Sequence, residues 1–190
     1  MFVEAALLGM VIGLLRGGNI KRLGRINLRG WGLALIALLI QAGLWVDCGG
    51  RINCPVELTP YLHLLSYLPL LIFAYINREQ PGMKLIGLGL LLNLLVIAAN
   101  GGAMPVDMNK LVPPPGEGPL IETGSPIHVP LTGTTKFPYL ADIFRLPYGK
   151  NRLISWGDIA LVAGLIHFIQ QGMQRKRKVS KRRAHQKTAF

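Results

Sequence analysis

The sequence predicts an all-α membrane protein, a bundle of five transmembrane helices with a long, partly ordered outer loop. Of its 190 residues, 51% are hydrophobic and 16% are charged, whereas soluble domains average about 25% charged residues. The mean hydropathy is +0.39, and the apolar residues are gathered in five runs. The net charge of +12 could indicate nucleic-acid binding, but the basic residues lie between and after these runs. The apolar content excludes a disordered chain.

Five apolar segments have the composition of spanning helices. The predicted spans cover about residues 2–16, 30–47, 60–77, 83–100 and 154–171. Their strictly apolar cores hold 14 to 16 residues, fewer than the roughly 20 that a spanning helix needs, so each borrows flanking residues. Tryptophan and tyrosine side chains at the segment ends suit the headgroup layer. Buried helices of a soluble all-α protein are the alternative, which would leave almost no polar face for water.

The basic residues predict the orientation of the spans. Fifteen of the 21 lie in the loops after the first and third spans and in the tail. Under the positive-inside rule the N-terminus is outside and the C-terminus is cytoplasmic. Residues 1–172 then form the bundle, and 173–190 form a basic tail that we expect to be disordered and attracted to anionic lipid headgroups. Without interleaved aromatic residues, the tail does not favour nucleic-acid binding.

Two features mark the outer loops. Cys48 and Cys54 lie in the loop 47–60, where a structural disulfide or free thiols are expected. Their spacing is not that of redox enzymes, and two thiols without nearby histidines make a poor zinc site. The loop 101–152 holds nine of the 13 prolines. We expect a short interfacial or re-entrant element over about Pro138–Phe144, or a loop that follows the headgroup layer.

The polar residues of the spans gather in the outer half of the membrane. At 1.5 Å per residue, Gln41, Ser66, Tyr67 and Asn93 converge at a depth of about 10 Å. The candidate ligand-binding residues are His63, Ser66, Tyr67, Asn93, Asn100, Gly101, Gly102, Asp142 and Asp158.

Structural roles are the alternative for these candidates. Interhelical hydrogen bonds are ordinary packing devices in membranes. The Ser155-x-x-Asp158 spacing suits a helix capping box, and Asn100-Gly101-Gly102 suits a helix C-cap and turn. No metal or cofactor motif is present.

Several motifs give the chain a family resemblance. The most specific is Asn100-Gly101-Gly102-Ala103-Met104-Pro105. The others are Leu15-Arg16-Gly17-Gly18, Leu28-Arg29-Gly30-Trp31, His63-x-x-Ser66-Tyr67, Asn93, Tyr139-Leu140-Ala141-Asp142 with Pro147, and Ser155-x-Gly157-Asp158. Over about residues 1–172 the chain resembles small bacterial multi-pass membrane proteins catalogued as domain of unknown function 5317. That family usually has glycine where this chain has Ala141. The resemblance implies a bacterial inner (cytoplasmic) membrane protein and supplies no activity.

Three functions suit this pattern. We expect a non-enzymatic membrane protein, either an accessory subunit of a membrane-protein partner or a binder of a lipid or small ligand at its outer face. A small transporter or channel component is the alternative, although the sequence shows neither an internal repeat nor a polar path through the inner half. A membrane enzyme using Asp142, Asp158 and His63 is the third, without a recognisable nucleophile, metal or phosphate motif.

Overall fold

The computed structural model describes residues 1–47, 57–111, 127–146 and 152–174. The protein is mostly helical, and each predicted span contains one helix whose ends lie within three residues of the prediction. The five helices are α1 (Phe2–Leu15), α2 (Trp31–Asp47), α3 (Thr59–Ile76), α4 (Met83–Ala99) and α5 (Trp156–Gln174). Three short 3₁₀ helices cover Ile20–Arg25, Met108–Lys110 and Pro138–Leu140.

The prediction of an all-α protein is wrong in one respect, because the described residues between α4 and α5 include four short strands. They are β1 (Met104–Val106), β2 (His128–Pro130), β3 (Phe144–Arg145) and β4 (Leu153–Ile154). β1 and β2 pair in parallel, and β3 and β4 pair antiparallel. The described part of the loop between α4 and α5 packs against α4 through β1 and the turn Pro138–Leu140, and β1 is fully buried. Buried backbone N–H and C=O groups need partners, which the paired strands supply.

Helix length differs from the five-span prediction. Among the described helices, only α3 is both long and apolar enough to cross a membrane. α1, α2 and α4 are apolar but have 14, 17 and 17 residues. At 1.5 Å per residue α1 extends about 21 Å, short of the roughly 30 Å hydrocarbon core. α5 has 19 residues but is less apolar. Five spanning helices are therefore not confirmed.

The helices pack in a row rather than in a closed bundle. The extensive contacts join α1 to α5, α5 to α4, α4 to α3 and α3 to α2. Within the described residues, no comparable contact joins the two end helices, α1 and α2. The order in space therefore differs from the order in the chain, because the last helix lies between the first and the fourth.

Glycines allow α5 to approach both of its neighbours closely. Gly9 and Gly13 of α1 are buried, and a Cβ at these positions would press on Ile169 and Met173 of α5. On the other side, a Cβ at Gly89 of α4 would overlap the Gly157 backbone of α5. In the same way, a Cβ at Gly82, just before α4, would overlap the Gly164 backbone of α5. Small residues at such interfaces bring helix backbones together.

Part of the segment Pro138–Phe144 packs against the helices, while its interfacial or re-entrant position in a membrane stays a prediction. The 3₁₀ turn Pro138–Leu140 contacts α4, and Leu140 packs against an apolar core between α3, α4 and β1. Ala141, where the resembling family has glycine, is completely buried and has an extended backbone with φ −68° and ψ 173°. Because any residue adopts this conformation, alanine fits here without strain.

Candidate functional site

Asp142 is held at the start of α5 by strand pairing on both sides. It forms a parallel bridge with Val106, and its amide donates to the Pro105 carbonyl at 3.0 Å. Two residues later β3 begins, where Phe144 pairs with Ile154 of β4. Because β4 leads directly into α5, this pairing brings the Asp142 side chain to the first turn of that helix.

Asp158 caps the same helix together with Ser155. The Asp158 amide donates to the Ser155 Oγ at 3.0 Å, and the Ser155 amide donates to the Asp158 Oδ2 at 3.3 Å. This is the reciprocal arrangement of a capping box. Asn93 of α4 joins the network, since its Nδ2 donates to Asp158 Oδ1 at 3.0 Å and its Oδ1 accepts from the Ser155 hydroxyl at 2.8 Å. The three side chains therefore link α4 to α5.

One oxygen of the Asp142 carboxyl has no hydrogen-bond partner among the described residues. The residue is 9% exposed, and its Oδ1 has no hydrogen-bond partner in the described part of the chain. Burial, and after it the charge of Asp158, raise the pKa of Asp142 to about 8, so near neutral pH the carboxyl keeps its proton. A buried polar atom without a partner costs roughly 1–3 kcal/mol, and such atoms are few in native proteins. Asp142 is therefore the most unusual group of this region.

His63 and Tyr67 of α3 lie near Asp142 and Asp158. The His63 Nδ1 lies 2.8 Å from the Gly102 carbonyl, so this nitrogen carries the proton and donates. The rings of His63 and Tyr67 meet edge to face with centroids 5.7 Å apart. Tyr67 is 8% exposed and lies within electrostatic reach of both Asp142 and Asp158.

His128, which the sequence analysis did not single out, belongs to this region. Residue 128 pairs with Met104 in the parallel β1–β2 ladder. Burial, and after it the charge of His63, lower the pKa of His128, so its imidazole is neutral and lies near that of His63. No local pattern marks His128, because only the pairing of two distant loop segments brings it here. Ser155 was expected only to cap α5, and its bond to Asn93 likewise depends on helix packing.

We call this group of seven residues the loop-side cluster. It consists of His63, Tyr67, Asn93, His128, Asp142, Ser155 and Asp158. Five of the nine candidate residues therefore lie together. The cluster combines two carboxyl groups, two imidazoles and a phenol near the end of α4 and the start of α5.

The other four candidates surround the cluster and hold the fold. Ser66 accepts from Gln41 Nε2 at 3.1 Å and donates to the His63 carbonyl at 2.6 Å, which joins α2 to α3. Asn100 brackets the Lys136 backbone, donating to its carbonyl at 2.9 Å and accepting from its amide at 3.0 Å. Asn100 therefore fixes the loop, and its amide group is not free for a ligand.

Gly101 and Gly102 form the turn that follows α4. Both have positive φ, +74° and +90°, which favours glycine. A Cβ on Gly102 would overlap Pro60, whereas one on Gly101 would meet open space. Their roles are therefore a close backbone approach at Gly102 and a left-handed turn at Gly101.

The described residues offer no metal site, and they do not include the two cysteines. Among the described residues, no group of three or more His, Cys, Asp or Glu side chains could hold a metal ion. Cys48 and Cys54 lie outside the described residues, as does the basic tail from residue 175.

Comparisons with known proteins identify relatives without an assigned activity. The model of a family of unknown function (DUF5317) matches residues 25–170, a range that contains the whole loop-side cluster. A protein of Thermotoga maritima, described as an uncharacterized protein, is 30% identical over 173 residues, which cover 88% of this chain and 89% of that protein. No solved structure matches the chain significantly.

Proposed function

This chain belongs to the family of unknown function DUF5317, and we propose that it is an integral membrane protein that binds a small cationic ligand at the loop-side cluster. The observation that carries the proposal is the buried Asp142 carboxyl, whose Oδ1 has no partner in the described structure and which lies within reach of the Asp158 charge. A cation-binding protein is a specific case of the small-ligand binder expected from the sequence.

The exposed surfaces of the helices support a membrane location. Each of α1–α4 leaves at least four large apolar side chains exposed, whereas soluble monomers rarely expose large apolar patches. Only 28% of the α3 window is buried, which is unlike the core helix of a soluble protein. In our proposal all five helices cross a bacterial inner membrane, with the N-terminus outside. The short α1 crosses by local thinning of the bilayer, at a modest energetic cost.

The charges of the cluster favour a cation. Neither Asp142 nor Asp158 forms an ion pair with a lysine or arginine of the described segments. A buried and a half-buried carboxyl group without a lysine or arginine partner in the described segments disfavour a second negative charge, so Asp142 holds a proton that a bound cation would replace. The ligand would therefore compete with a proton, and its affinity would rise with pH until Asp142 is ionised.

A thermal-stability titration of the full chain in detergent tests this proposal. The probes are sodium, potassium, ammonium and ethylammonium chlorides, with N-methylglucamine chloride at equal ionic strength as reference. We expect at least one probe to raise the melting temperature, and to do so more strongly at pH 9 than at pH 6. Asp142→Asn should abolish the effect, while Glu57→Gln, the corresponding carboxyl-to-amide change on an exposed residue preceding α3, should keep it.

Two outcomes would contradict the binding proposal. One is an equal response to every cation and to the reference. The other is an unchanged response in Asp142→Asn. A stoichiometric protein that co-purifies from native membranes, and that Asp142→Asn retains, would favour an accessory subunit instead.

A further inference from the structure

A second candidate site lies at the start of α4 and the last turns of α5, which are the helix ends opposite the loop-side cluster. A cleft of about 450 Å³ opens between the α3–α4 turn and the last turns of α5. Its lining includes Arg78, Lys84 and Leu85 from one side and His167 and Gln171 from the other. These residues take no part in the loop-side cluster, which lies at the other ends of α4 and α5.

The cleft is positively charged. Arg78, Lys84 and His167 are all exposed, and the Lys84 ammonium forms no ion pair within the described residues. The one acidic lining residue, Glu79, has an 85% exposed side chain 3.8 Å from Arg78, so solvent weakens its compensation of that charge. α4 begins here without a side-chain cap, and the positive end of its dipole adds to the attraction of an anion.

The walls of the cleft are held in place. Gly82 has φ +81°, and a Cβ there would overlap the Gly164 backbone, so the turn rests directly on α5. The Arg78 guanidinium lies 4.3 Å from the centre of the Tyr75 ring and donates to the Tyr75 carbonyl at 3.1 Å. The turn that carries the basic side chains is therefore held in position before an anion binds.

An exposed apolar stripe leads away from the cleft along α4. It consists of Leu85, Leu88, Leu91 and Leu95, which are 41–54% exposed. Their spacing of three or four residues places them on one helix face. A free phosphate would use only the basic groups of the cleft, whereas a phospholipid would use these groups and the stripe together.

We propose that this cleft binds the phosphate headgroup of an anionic phospholipid, whose acyl chains lie along the Leu85–Leu95 stripe. Basic pockets between helices on the cytoplasmic side of membranes recognise such headgroups. The inference rests on the membrane location proposed above, under which the α3–α4 turn and the end of α5 face the cytoplasm. It does not depend on the ligand of the loop-side cluster.

Native mass spectrometry of the full chain in detergent, with added phosphatidylglycerol or phosphatidylcholine, tests the inference. We expect tighter binding of phosphatidylglycerol, and about fivefold weaker binding in Lys84→Gln, from the loss of one basic group near the lipid. Leu88→Gln should also weaken binding. The matched control is Lys21→Gln, an exposed lysine in the basic loop after α1, which should bind the lipid as the unmodified chain does.

Three results would overturn the inference. They are an equal loss in Lys21→Gln, equal affinity for both lipids, and full displacement of phosphatidylglycerol by inorganic phosphate at comparable concentration, which would indicate a soluble anion. Asp142→Asn should leave lipid binding unchanged, so failure of the cation proposal would remain distinguishable. Purification of the chain from cells without detergent would contradict the membrane location that underlies both proposals.

Discussion

Asp142 and Asp158 are the same side chain in two different surroundings. Asp158 accepts hydrogen bonds from Asn93 and from the Ser155 amide, so its carboxylate is stabilised by the groups that cap α5. Asp142 has backbone partners on both sides but an unsatisfied carboxyl oxygen. Asp158 therefore holds the helices together, whereas Asp142 can exchange its proton.

Asp142 should make the stability of the protein depend on pH. The unfolded carboxyl loses its proton near its ordinary pKa of 3.8, and the folded one near 8. Between these values the folded state binds more protons, so its stability falls as pH rises from about 4 to about 8, by at most about 1.4 kcal/mol per pH unit. Asp142→Asn should flatten this part of the profile, measured by chemical unfolding in detergent. An unchanged slope in the variant, with Glu57→Gln as control, would contradict the assignment.

Asn100→Ala should release the loop without unfolding the helices. The substitution removes both side-chain bonds to Lys136 and the bond to the Val96 carbonyl at 2.8 Å. We expect a loss of about 1–2 kcal/mol and faster hydrogen exchange of the Lys136 amide, while the α3 amides keep their protection. Equal acceleration in both segments would indicate global destabilisation and would contradict a local anchoring role.

The sequence contains only part of the information that places these residues. The capping box is local, because Ser155 and Asp158 are three positions apart, and its spacing predicts the observed bonds. The contact of His128 with the cluster depends on pairing between segments 24 residues apart. The unsatisfied oxygen of Asp142 depends on two such pairings, which no local pattern encodes.

At the scale of elements, the α4–α5 contact is the most extensive packing between described helices and depends on glycine. Gly157 lies against the Asn93 side chain and the Gly89 backbone, so this packing and the polar network share one position. The five helices were predictable because long apolar runs are a strong local signal. The four short strands were not, because two- and three-residue strands arise only when the loop backbone is buried.

Gly157→Ala should be destabilising, because its methyl group would overlap Asn93. Overpacking of this kind costs roughly 1–3 kcal/mol, and displacement of Asn93 should also loosen Asp158. Gly43→Ala in α2 is the matched control, since a Cβ there meets nothing within 4 Å and alanine favours helix. Thermal unfolding in detergent should show a lower midpoint for the first variant and an equal or higher one for the second.

At the scale of the whole molecule, the carboxyl groups of Asp142 and Asp158 lie near the start of α5, and the basic cleft lies near its last turns. Under the proposed orientation these ends face opposite sides of the membrane. The charge pattern of the loops predicts which end faces the cytoplasm, and this orientation stays a prediction. The row-like packing of the helices could not be predicted from the sequence, because apolar runs do not specify their neighbours.

The orientation can be checked with the two native cysteines, which lie in a predicted outer loop. A membrane-impermeant maleimide should label Cys48 and Cys54 in intact cells after mild reduction. In a variant with both cysteines replaced by serine and Thr188→Cys in the tail, labelling should require opened membranes. The reverse pattern would place the N-terminus in the cytoplasm.

The position of α5 in the row has a consequence for biosynthesis. Among the described helices, α5 is the last to be synthesised, and it separates α1 from α4. The extensive contacts of α1 with another described helix are all with α5. Until residues 156–174 have been made, the glycine faces of α1 and α4 lack the helix against which they pack in the folded chain. The packing of α1 and α4 is therefore completed only after residues 156–174 have been translated, when α5 enters the gap between these two helices.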